Sequence, residues 1–150
     1  MKNLIISLLI SLGVGGLSFL ITMGSMDIYK YLVKPPLAPP SILFPIVWTI
    51  LYILMGISAY LVYRDSSIDN GALKVYLIQL FINFVWPILF FLLSYRLLSL
   101  IWIILLVIVV IVMIIKFYKV NRVAAYLQIP YLIWILFATY LNLGFYILNR

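Results

Sequence analysis

Aromatic and amide side chains recur at helical spacing in three apolar stretches of the sequence. Residues three or four positions apart lie on one face of a helix. The three faces comprise Trp48, Tyr52, Met55 and Ala59; Gln79, Asn83, Trp86 and Phe90; and Trp134, Ala138, Leu141 and Phe145, with Asn142 beside them. Such faces can line an apolar pocket for a flat hydrophobic ligand, but they also pack helices together. Packing explains any single tryptophan better, whereas three such faces together favour a cavity.

The thiol, imidazole and carboxylate groups on which most enzymes rely are scarce or missing. The chain has no cysteine, no histidine and three acidic residues, all of them aspartates outside the apolar stretches. A disulfide framework, a thiol nucleophile, a zinc site and a histidine-ligated haem are therefore excluded. An ion-coupled pump would need an ionisable group at membrane depth, and a serine hydrolase would need a base. We expect neither a metal ion nor a resident cofactor.

Composition assigns the chain to the integral membrane proteins. Of its 150 residues, 68% are hydrophobic and 9% are charged, with a mean hydropathy of +1.30. A helix needs about 20 apolar residues to cross a bilayer. Runs of that length predict an all-α membrane protein, a single bundle of five transmembrane helices in one domain over residues 1–150. The expected helices lie at about 4–22, 43–63, 73–93, 97–115 and 124–148.

The first apolar run admits two interpretations. A lone Lys2 followed by apolar residues is also the pattern of a signal peptide. The run exceeds the usual core of a signal peptide, and no small-residue cleavage site follows Thr22, which favours a retained helix. Ser7, Ser11 and Gly15 share one face, where small residues let a second helix approach closely. That second helix would belong either to the same monomer or to another copy of the chain.

A proline-rich segment connects the first two helices. Lys34-Pro35-Pro36-Leu37-Ala38-Pro39-Pro40 cannot be helical, because proline removes backbone donors and restricts the residue before it. We expect an extended crossing, preceded by a short interfacial helix at 27–33. The second helix should begin with Ser41 as its cap and Pro45 in its first turn.

Two further interruptions are predicted along the chain. Pro87 lies in the middle of the third run and should kink that helix and free a backbone carbonyl. The stretch from Arg64 to Gly71 is the one clearly solvated segment, and it separates the second helix from the third.

Basic residues outnumber acidic ones by ten to three, which gives a net charge of +7. This excess favours contact with an anionic lipid surface, and because no basic stripe is clustered, we expect no nucleic-acid partner. The loops on the amino-terminal side hold Lys2, Arg64, Lys74, Lys116, Lys119 and Arg122, whereas the opposite side holds Lys30, Lys34, Arg96 and Arg150. The count weakly favours a cytoplasmic amino terminus.

Three motifs resemble those of one family of membrane proteins. They are Lys34–Pro40 with Pro45-Ile-Val-Trp48-Thr-Ile-Leu-Tyr52-Ile-Leu-Met-Gly56, Asn83-Phe-Val-Trp86-Pro87-Ile-Leu-Phe90-Phe91, and Pro130-Tyr131-Leu-Ile-Trp134-Ile-Leu-Phe137-Ala138-Thr139-Tyr140-Leu141-Asn142. Over essentially its whole length the chain resembles the translocator proteins of the TspO/MBR family, which include the tryptophan-rich sensory proteins and peripheral benzodiazepine receptors. One departure is Leu37, which stands where the family usually has a tryptophan.

The resemblance implies a homodimer of five-helix bundles in the bacterial cell membrane, with a ligand cavity beneath the first loop. The implied ligands are tetrapyrroles such as protoporphyrin IX and haem, sterols, and synthetic benzodiazepine or isoquinoline compounds. The ligand-contacting positions carried over from the family are Pro39, Trp48, Tyr52, Asn83, Trp86, Phe90, Trp134 and Ala138. Lys30 and Lys34 are expected near the cavity mouth, where they would meet either tetrapyrrole carboxylates or anionic lipid.

Two functions remain open at this point. The favoured one is a membrane receptor, sensor or carrier for tetrapyrroles. The alternative is an enzyme that degrades porphyrins with light and oxygen, in which Trp48 and Trp134 would relay electrons or radicals. Since the sequence offers no acid–base group for turnover, such catalysis would rest on the photochemistry of the ligand. A structural membrane protein without a ligand would require the motif match to be accidental.

Overall fold

In the computed structural model, which describes residues 1–65 and 71–150, the chain is built from α-helices, and no β-strand occurs in those ranges. The elements are α1 (Lys2–Thr22), a 3₁₀ turn (Met23–Ser25), α2 (Ile28–Tyr31), α3 (Leu43–Asp65), α4 (Ala72–Pro87), a π-helical turn (Ile88–Leu92), α5 (Arg96–Val120), α6 (Arg122–Leu127) and α7 (Ile129–Leu148). Most of the predicted solvated stretch from Arg64 to Gly71 lies outside the described residues.

Among the described residues, five segments are long and apolar enough to span a bilayer. They are Lys2–Ser25, Leu43–Asp65, Ala72–Leu92, Arg96–Val120 and Arg122–Leu148. The third span continues from α4 through the π-helical turn, and the fifth combines α6 with α7. The prediction of an all-α membrane protein with five spans is confirmed.

The fourth span is longer than expected, since α5 continues to Val120 instead of ending near Ile115. A buried stripe along α5 extends as far as Phe117, so packing holds the last turns in the helix. Asn121 then adopts an extended conformation, and its side chain accepts a hydrogen bond from the Ala124 N–H at 3.0 Å, which caps α6. Tertiary packing, and not the end of the apolar run, sets this boundary.

The helices form a ring around a buried core. α1 packs between α3 and α4, α5 packs against α4 and α7, and α6 joins α5 to α3. The side-chain ring of Trp48 on α3 lies 6.2 Å from that of Tyr131 on α7, and this contact joins the last helix of the bundle to α3. The largest fully buried side chains include Tyr131, Phe117, Phe145 and Met55.

α1 and α3 approach each other closely over one half of their length. The hydroxyl of Ser7 donates to the carbonyl of Gly56 at 2.7 Å, and that of Ser11 donates to the carbonyl of Tyr52 at 2.8 Å. A Cβ atom on Gly56 would lie 2.7 Å from Ser11 Oγ, and one on Gly15 would lie 2.5 Å from the Tyr52 ring. The small-residue face of α1 therefore packs within the monomer, one of the two partners that the sequence left open.

The segment of residues 32–42, here called the proline loop, contains a tight turn with a strained residue. Its Ala38 N–H donates to the Pro35 carbonyl at 3.3 Å. Leu37, the third residue of this turn, has a φ of +71°, a conformation that normally requires glycine or asparagine. Its side chain is 82% exposed. The residue that departs from the family pattern thus lies at the outer tip of the loop.

The proline loop is fastened to the carboxyl-terminal half of α7. Asn149 Nδ2 donates to the Val33 carbonyl at 2.9 Å, and Asn149 Oδ1 accepts from the Val33 N–H at 2.8 Å. The Tyr140 hydroxyl donates to the Pro36 carbonyl at 2.5 Å. Pro35 packs on Gly144, where a Cβ atom would approach the proline ring to 2.5 Å. The loop therefore covers this end of the bundle in a fixed position.

Pro87 changes the helix type within the third span. Because it has no N–H, the backbone carbonyl of Asn83 lacks its helical donor. The following turn, Ile88–Leu92, is π-helical, and the Leu93 N–H donates to the Ile88 carbonyl at 2.9 Å. Such turns are rare and are frequent at functional sites. The irregularity expected at Pro87 is present, and the span continues beyond it.

Gly56→Val should destabilise the bundle, because its side chain would push α1 away from α3. Overpacking of a closely packed contact costs about 1–3 kcal/mol. Thermal unfolding in detergent, followed by circular dichroism, should show a lower midpoint for this variant. Gly13→Val is the matched control, since a Cβ atom at Gly13 meets no atom within 4 Å. Equal midpoints for the two variants would contradict the close approach.

Candidate functional site

A cavity of about 380 Å³ lies between α1, α3 and α4, toward the end of the bundle that carries the proline loop. Small-molecule sites usually measure roughly 300–1,000 Å³. The walls are formed by Leu12, Gly15, Gly16, Ser18, Phe19 and Thr22 of α1; Met26; Phe44, Pro45, Trp48, Thr49 and Tyr52 of α3; Asn83, Trp86 and Pro87 of α4; and Phe91 of the π-helical turn. None of these side chains is charged, so the cavity suits an apolar or aromatic guest.

Aromatic contacts hold the two tryptophans of the cavity in place. The Trp48 ring lies 5.9 Å from the Tyr52 ring, and it also contacts Tyr131 across the bundle. The Trp86 ring stacks on Phe90 at 5.4 Å with an interplanar angle of 23°. Contacts of this kind are worth roughly 0.5–1.5 kcal/mol beyond burial alone. Each indole is therefore presented to the cavity in one orientation.

The amide of Asn83 belongs to a buried network between α4 and α7. Its Nδ2 donates to the Tyr131 hydroxyl at 2.9 Å, and that hydroxyl donates to Gln79 Oε1 at 2.8 Å. Interhelical bonds of this kind join helices where water is absent. Gln79 is thereby used in packing, whereas Asn83 also lines the cavity. With its nitrogen engaged, Asn83 has its side-chain oxygen left to meet a ligand.

The indole N–H of Trp86 is also satisfied by the bundle. Trp86 Nε1 donates to Asn142 Oδ1 at 2.9 Å, and Asn142 Nδ2 donates to the Arg96 carbonyl at 3.0 Å. This chain of bonds links α4, α7 and the start of α5. Trp86 therefore offers a ligand its ring and not its N–H.

Six of the eight predicted ligand positions line one of two spaces. Trp48, Tyr52, Asn83 and Trp86 line the 380 Å³ cavity. Phe90 and Ala138 line a second space of about 20 Å³, to which Trp86 and Phe91 also contribute. That space is about large enough for one water molecule. The structure thus brings together the predicted residues of α3 and α4, and separates from them the predicted residues of α7.

Pro39 and Trp134 line neither of these two spaces. The Pro39 carbonyl accepts a hydrogen bond from the Tyr29 hydroxyl, which helps to hold the proline loop. The ring centroid of Trp134 lies 6.0 Å from that of Phe44. Phe44 lines the cavity, so Trp134 lies behind the cavity wall. Trp134 Nε1 is buried with no hydrogen-bond partner among the described residues. Ligand contact by these two residues stays a prediction.

The α1 wall of the cavity was not among the predicted ligand positions. The sequence did signal a face of small residues from Ser7 to Gly15, but that pattern indicates close helix packing and not a cavity. α1 touches α3 at Gly56, and from Leu12 onward its residues also line an open space. Only the path of α1 relative to α3 reveals this role.

The charged groups of the first connection lie outside the cavity. Lys30 pairs with Asp27 at 3.6 Å, with both side chains largely exposed, and Lys34 Nζ lies 5.1 Å from the centroid of the Tyr29 ring. Burial raises the pKa of the Tyr29 hydroxyl, so at neutral pH it keeps the proton that it donates to the loop. Within residues 1–65 and 71–150, no group of three His, Cys, Asp or Glu residues is placed to hold a metal ion.

Tyr131→Phe should destabilise the bundle, because it leaves the Asn83 amide and the Gln79 carbonyl without a partner. Interhelical hydrogen bonds in membranes average about 0.6 kcal/mol, and a buried unsatisfied group costs about 1–3 kcal/mol. We expect a loss of about 1–2 kcal/mol in unfolding titrations in mixed micelles. Tyr63→Phe is the control, since Tyr63 is 57% exposed. If both variants unfold alike, the network contributes nothing to stability.

Comparison with known proteins yields matches along nearly the whole chain. Residues 6–148 match the TspO/MBR family. The chain is 39% identical over 149 residues to the tryptophan-rich protein TspO of Archaeoglobus fulgidus, covering 98% of this chain and 97% of that protein. It is 37% identical over 150 residues to the protein of the same name from Chlorobaculum tepidum, covering 97% and 94%. It is 34% identical over 118 residues to the translocator protein of Homo sapiens, covering 76% and 70%.

These matches agree with the three motifs and with the five-span bundle. They extend through α1, α3, α4, α5 and α7, the helices that form the ring. On the strength of the family match and of these relatives, the chain belongs to the TspO/MBR family.

Proposed function

We propose that this protein binds tetrapyrroles, such as protoporphyrin IX and haem, and similar flat hydrophobic ligands in the cavity between α1, α3 and α4. The observation that carries the proposal is an uncharged cavity of about 380 Å³ with Trp48 and Trp86 on its walls. A planar macrocycle gains binding energy from burial against aromatic rings. The side-chain oxygen of Asn83 supplies one polar contact that can fix the orientation of the ligand.

A tetrapyrrole that carries carboxylates would direct them toward the proline loop. The cavity walls offer no charge to pair with them, and burial of an unpaired carboxylate is costly. At the loop end the helices meet the aqueous interface, where Lys30 and Lys34 are exposed. This orientation leaves the carboxylates hydrated while the macrocycle is buried.

Reversible binding would serve either a sensor or a carrier. Relatives of this chain include a tryptophan-rich sensory protein of Cereibacter sphaeroides and translocator proteins of mammals, and these names support both roles. The uncharged cavity supports binding over turnover, because none of its lining residues is a histidine, carboxylate, lysine or cysteine. Flat synthetic compounds of the benzodiazepine or isoquinoline type would occupy the same space. The homodimer implied by the family resemblance is likewise part of this proposal.

Light-dependent porphyrin degradation is the alternative function. Trp48 lies on the cavity wall, where an excited porphyrin could exchange an electron with it. Trp134 lines neither space and contacts the Phe44 ring instead. The geometry therefore supports a relay role for Trp48 more directly than for Trp134.

Trp48→Leu should weaken protoporphyrin IX binding about tenfold, because the ligand loses an aromatic contact worth about 1–1.5 kcal/mol. The affinity is read in the dark from the absorbance of the porphyrin, which does not depend on protein fluorescence. Trp102→Leu is the matched control, since Trp102 donates to the Ile82 carbonyl at 2.7 Å and lines neither space. If the porphyrin absorbance shows no saturable change with the wild type, protoporphyrin IX is not a ligand. If Trp48→Leu and Trp102→Leu bind it with equal affinity, the cavity is not the binding site.

The same titration under illumination separates binding from degradation. Stable porphyrin absorbance in the presence of the protein supports a receptor or carrier. Protein-dependent bleaching that disappears in Trp48→Phe supports the enzyme. Bleaching that disappears in Trp134→Phe as well would show that this residue takes part from outside the cavity.

A further inference from the structure

The cavity is exposed on one side, between α1 and α3. Among its lining residues, Leu12, Gly16 and Phe19 of α1 and Thr49 of α3 are exposed, and these four are here called the rim. The three α1 residues are spaced by four and three, so they form one edge of that helix. The Thr49 hydroxyl donates to the Pro45 carbonyl at 2.7 Å, so the rim presents no unsatisfied hydroxyl to its surroundings.

On the side away from the proline loop, contacts between α1 and α3 close the gap between these two helices. There the hydroxyls of Ser7 and Ser11 bond to carbonyls of α3, and a Cβ atom on Gly15 would lie 2.5 Å from the Tyr52 ring. At Gly16, the next residue, an added Cβ would meet no atom within 4 Å. Gly16, which lines the cavity, therefore borders the gap at a point where there is room for a side chain.

The rim lies at membrane depth. Gly16 precedes the end of α1 at Thr22 by six residues, and Thr49 follows the start of α3 at Leu43 by six residues. At 1.5 Å per residue, each lies about 9 Å from the helix end. Each leaflet contributes about 15 Å to the hydrocarbon core. The gap therefore faces lipid acyl chains and not water.

The aqueous end of the bundle is covered by the fastened proline loop. Asn149 forms two hydrogen bonds with the backbone of Val33, and the Tyr140 hydroxyl bonds the Pro36 carbonyl. A ligand that entered beneath the loop would have to break such contacts. A ligand that entered through the rim would displace only lipid.

We propose that the cavity is a lateral port: a lipid acyl chain occupies the rim in the ligand-free protein, and ligands enter from the bilayer through the gap between α1 and α3. Gly16 keeps the port open, because any larger side chain there narrows it. The entry of tetrapyrroles through the port rests on the proposed function, whereas its occupation by an acyl chain does not.

The port selects ligands that are already dissolved in the membrane. A planar amphiphile with its macrocycle among the acyl chains and its carboxylates among the headgroups could slide between α1 and α3 without turning over. Its polar edge would stay at the interface throughout, which avoids the cost of burying a charge. A water-soluble ligand of the same size would have no comparable route.

Brominated lipids test the acyl-chain occupancy without any tetrapyrrole. Trp102→Phe/Trp134→Phe leaves Trp48 and Trp86, both of them in the cavity, out of four tryptophans. In nanodiscs of phosphatidylcholine brominated on its acyl chains, the fluorescence of this background protein should be quenched relative to ordinary lipid. Adding Gly16→Leu should reduce the quenching about twofold, because the new side chain fills the port.

Gly13→Leu in the same background is the matched control. Gly13 is exposed on α1, an added Cβ there meets no atom within 4 Å, and it does not line the cavity. Quenching that Gly16→Leu reduces and Gly13→Leu leaves unchanged supports the port, provided that circular dichroism shows both variants folded. An unquenched background protein, or equal quenching in both variants, would overturn it.

Stopped-flow mixing with protoporphyrin IX tests the route of entry. Gly16→Leu should slow association and dissociation alike, about tenfold, because a narrowed port raises the barrier in both directions. Asn149→Ala/Tyr140→Phe, which releases the loop, should leave both rates unchanged. Faster entry on releasing the loop, with no effect of Gly16→Leu, would overturn the route. If the wild type binds no porphyrin, the proposed function fails, and the brominated-lipid measurement still decides the port.

Discussion

The close contact between α1 and α3 at Gly56 is the constraint on which the rest of the site depends. Helices in a bilayer gain little from hydrophobic association, so small residues and interhelical hydrogen bonds decide where they touch. Here the Ser7 and Ser11 hydroxyls bond backbone carbonyls of α3, and Gly56 removes the side chain that would keep the helices apart. Because contact is fixed at one end, the space between the same two helices toward the proline loop becomes a cavity.

The second constraint is that a polar group inside an apolar bundle is costly unless it has a partner. This explains why the amides of Gln79 and Asn142, which belong to faces that could either line a pocket or pack helices, join helices here. Tyr131 and Asn142 on α7 form hydrogen bonds with the polar face of α4, and two residues of that face, Asn83 and Trp86, both bond α7 and line the cavity. Recognition of a ligand is therefore left mainly to ring faces, which suits a flat guest.

The proline loop adds rigidity at the aqueous end. Proline limits the conformations of the unfolded loop, so ordering it over α7 costs less entropy. Leu37 occupies a strained turn position at the exposed tip, away from both spaces in the bundle. In this structure Leu37 contributes no contact to the cavity wall. The loop acts as a fixed cover over this end of the bundle. In the proposed route, a ligand therefore enters through the gap between α1 and α3.

By itself the sequence determined the class of protein, the number of spans, the breaks at the prolines and four of the sixteen residues that line the cavity. These features depend on the length and periodicity of apolar residues along one chain, and so Trp48, Tyr52, Asn83 and Trp86 could be placed on the correct faces. The tertiary structure alone decided that α1 supplies another wall, that Trp134 contacts Phe44 instead of the cavity, and that α5 runs on to Val120. Periodicity shows which residues share a face of one helix. The distances between helices are set by where small residues let two backbones meet, and those distances make the cavity.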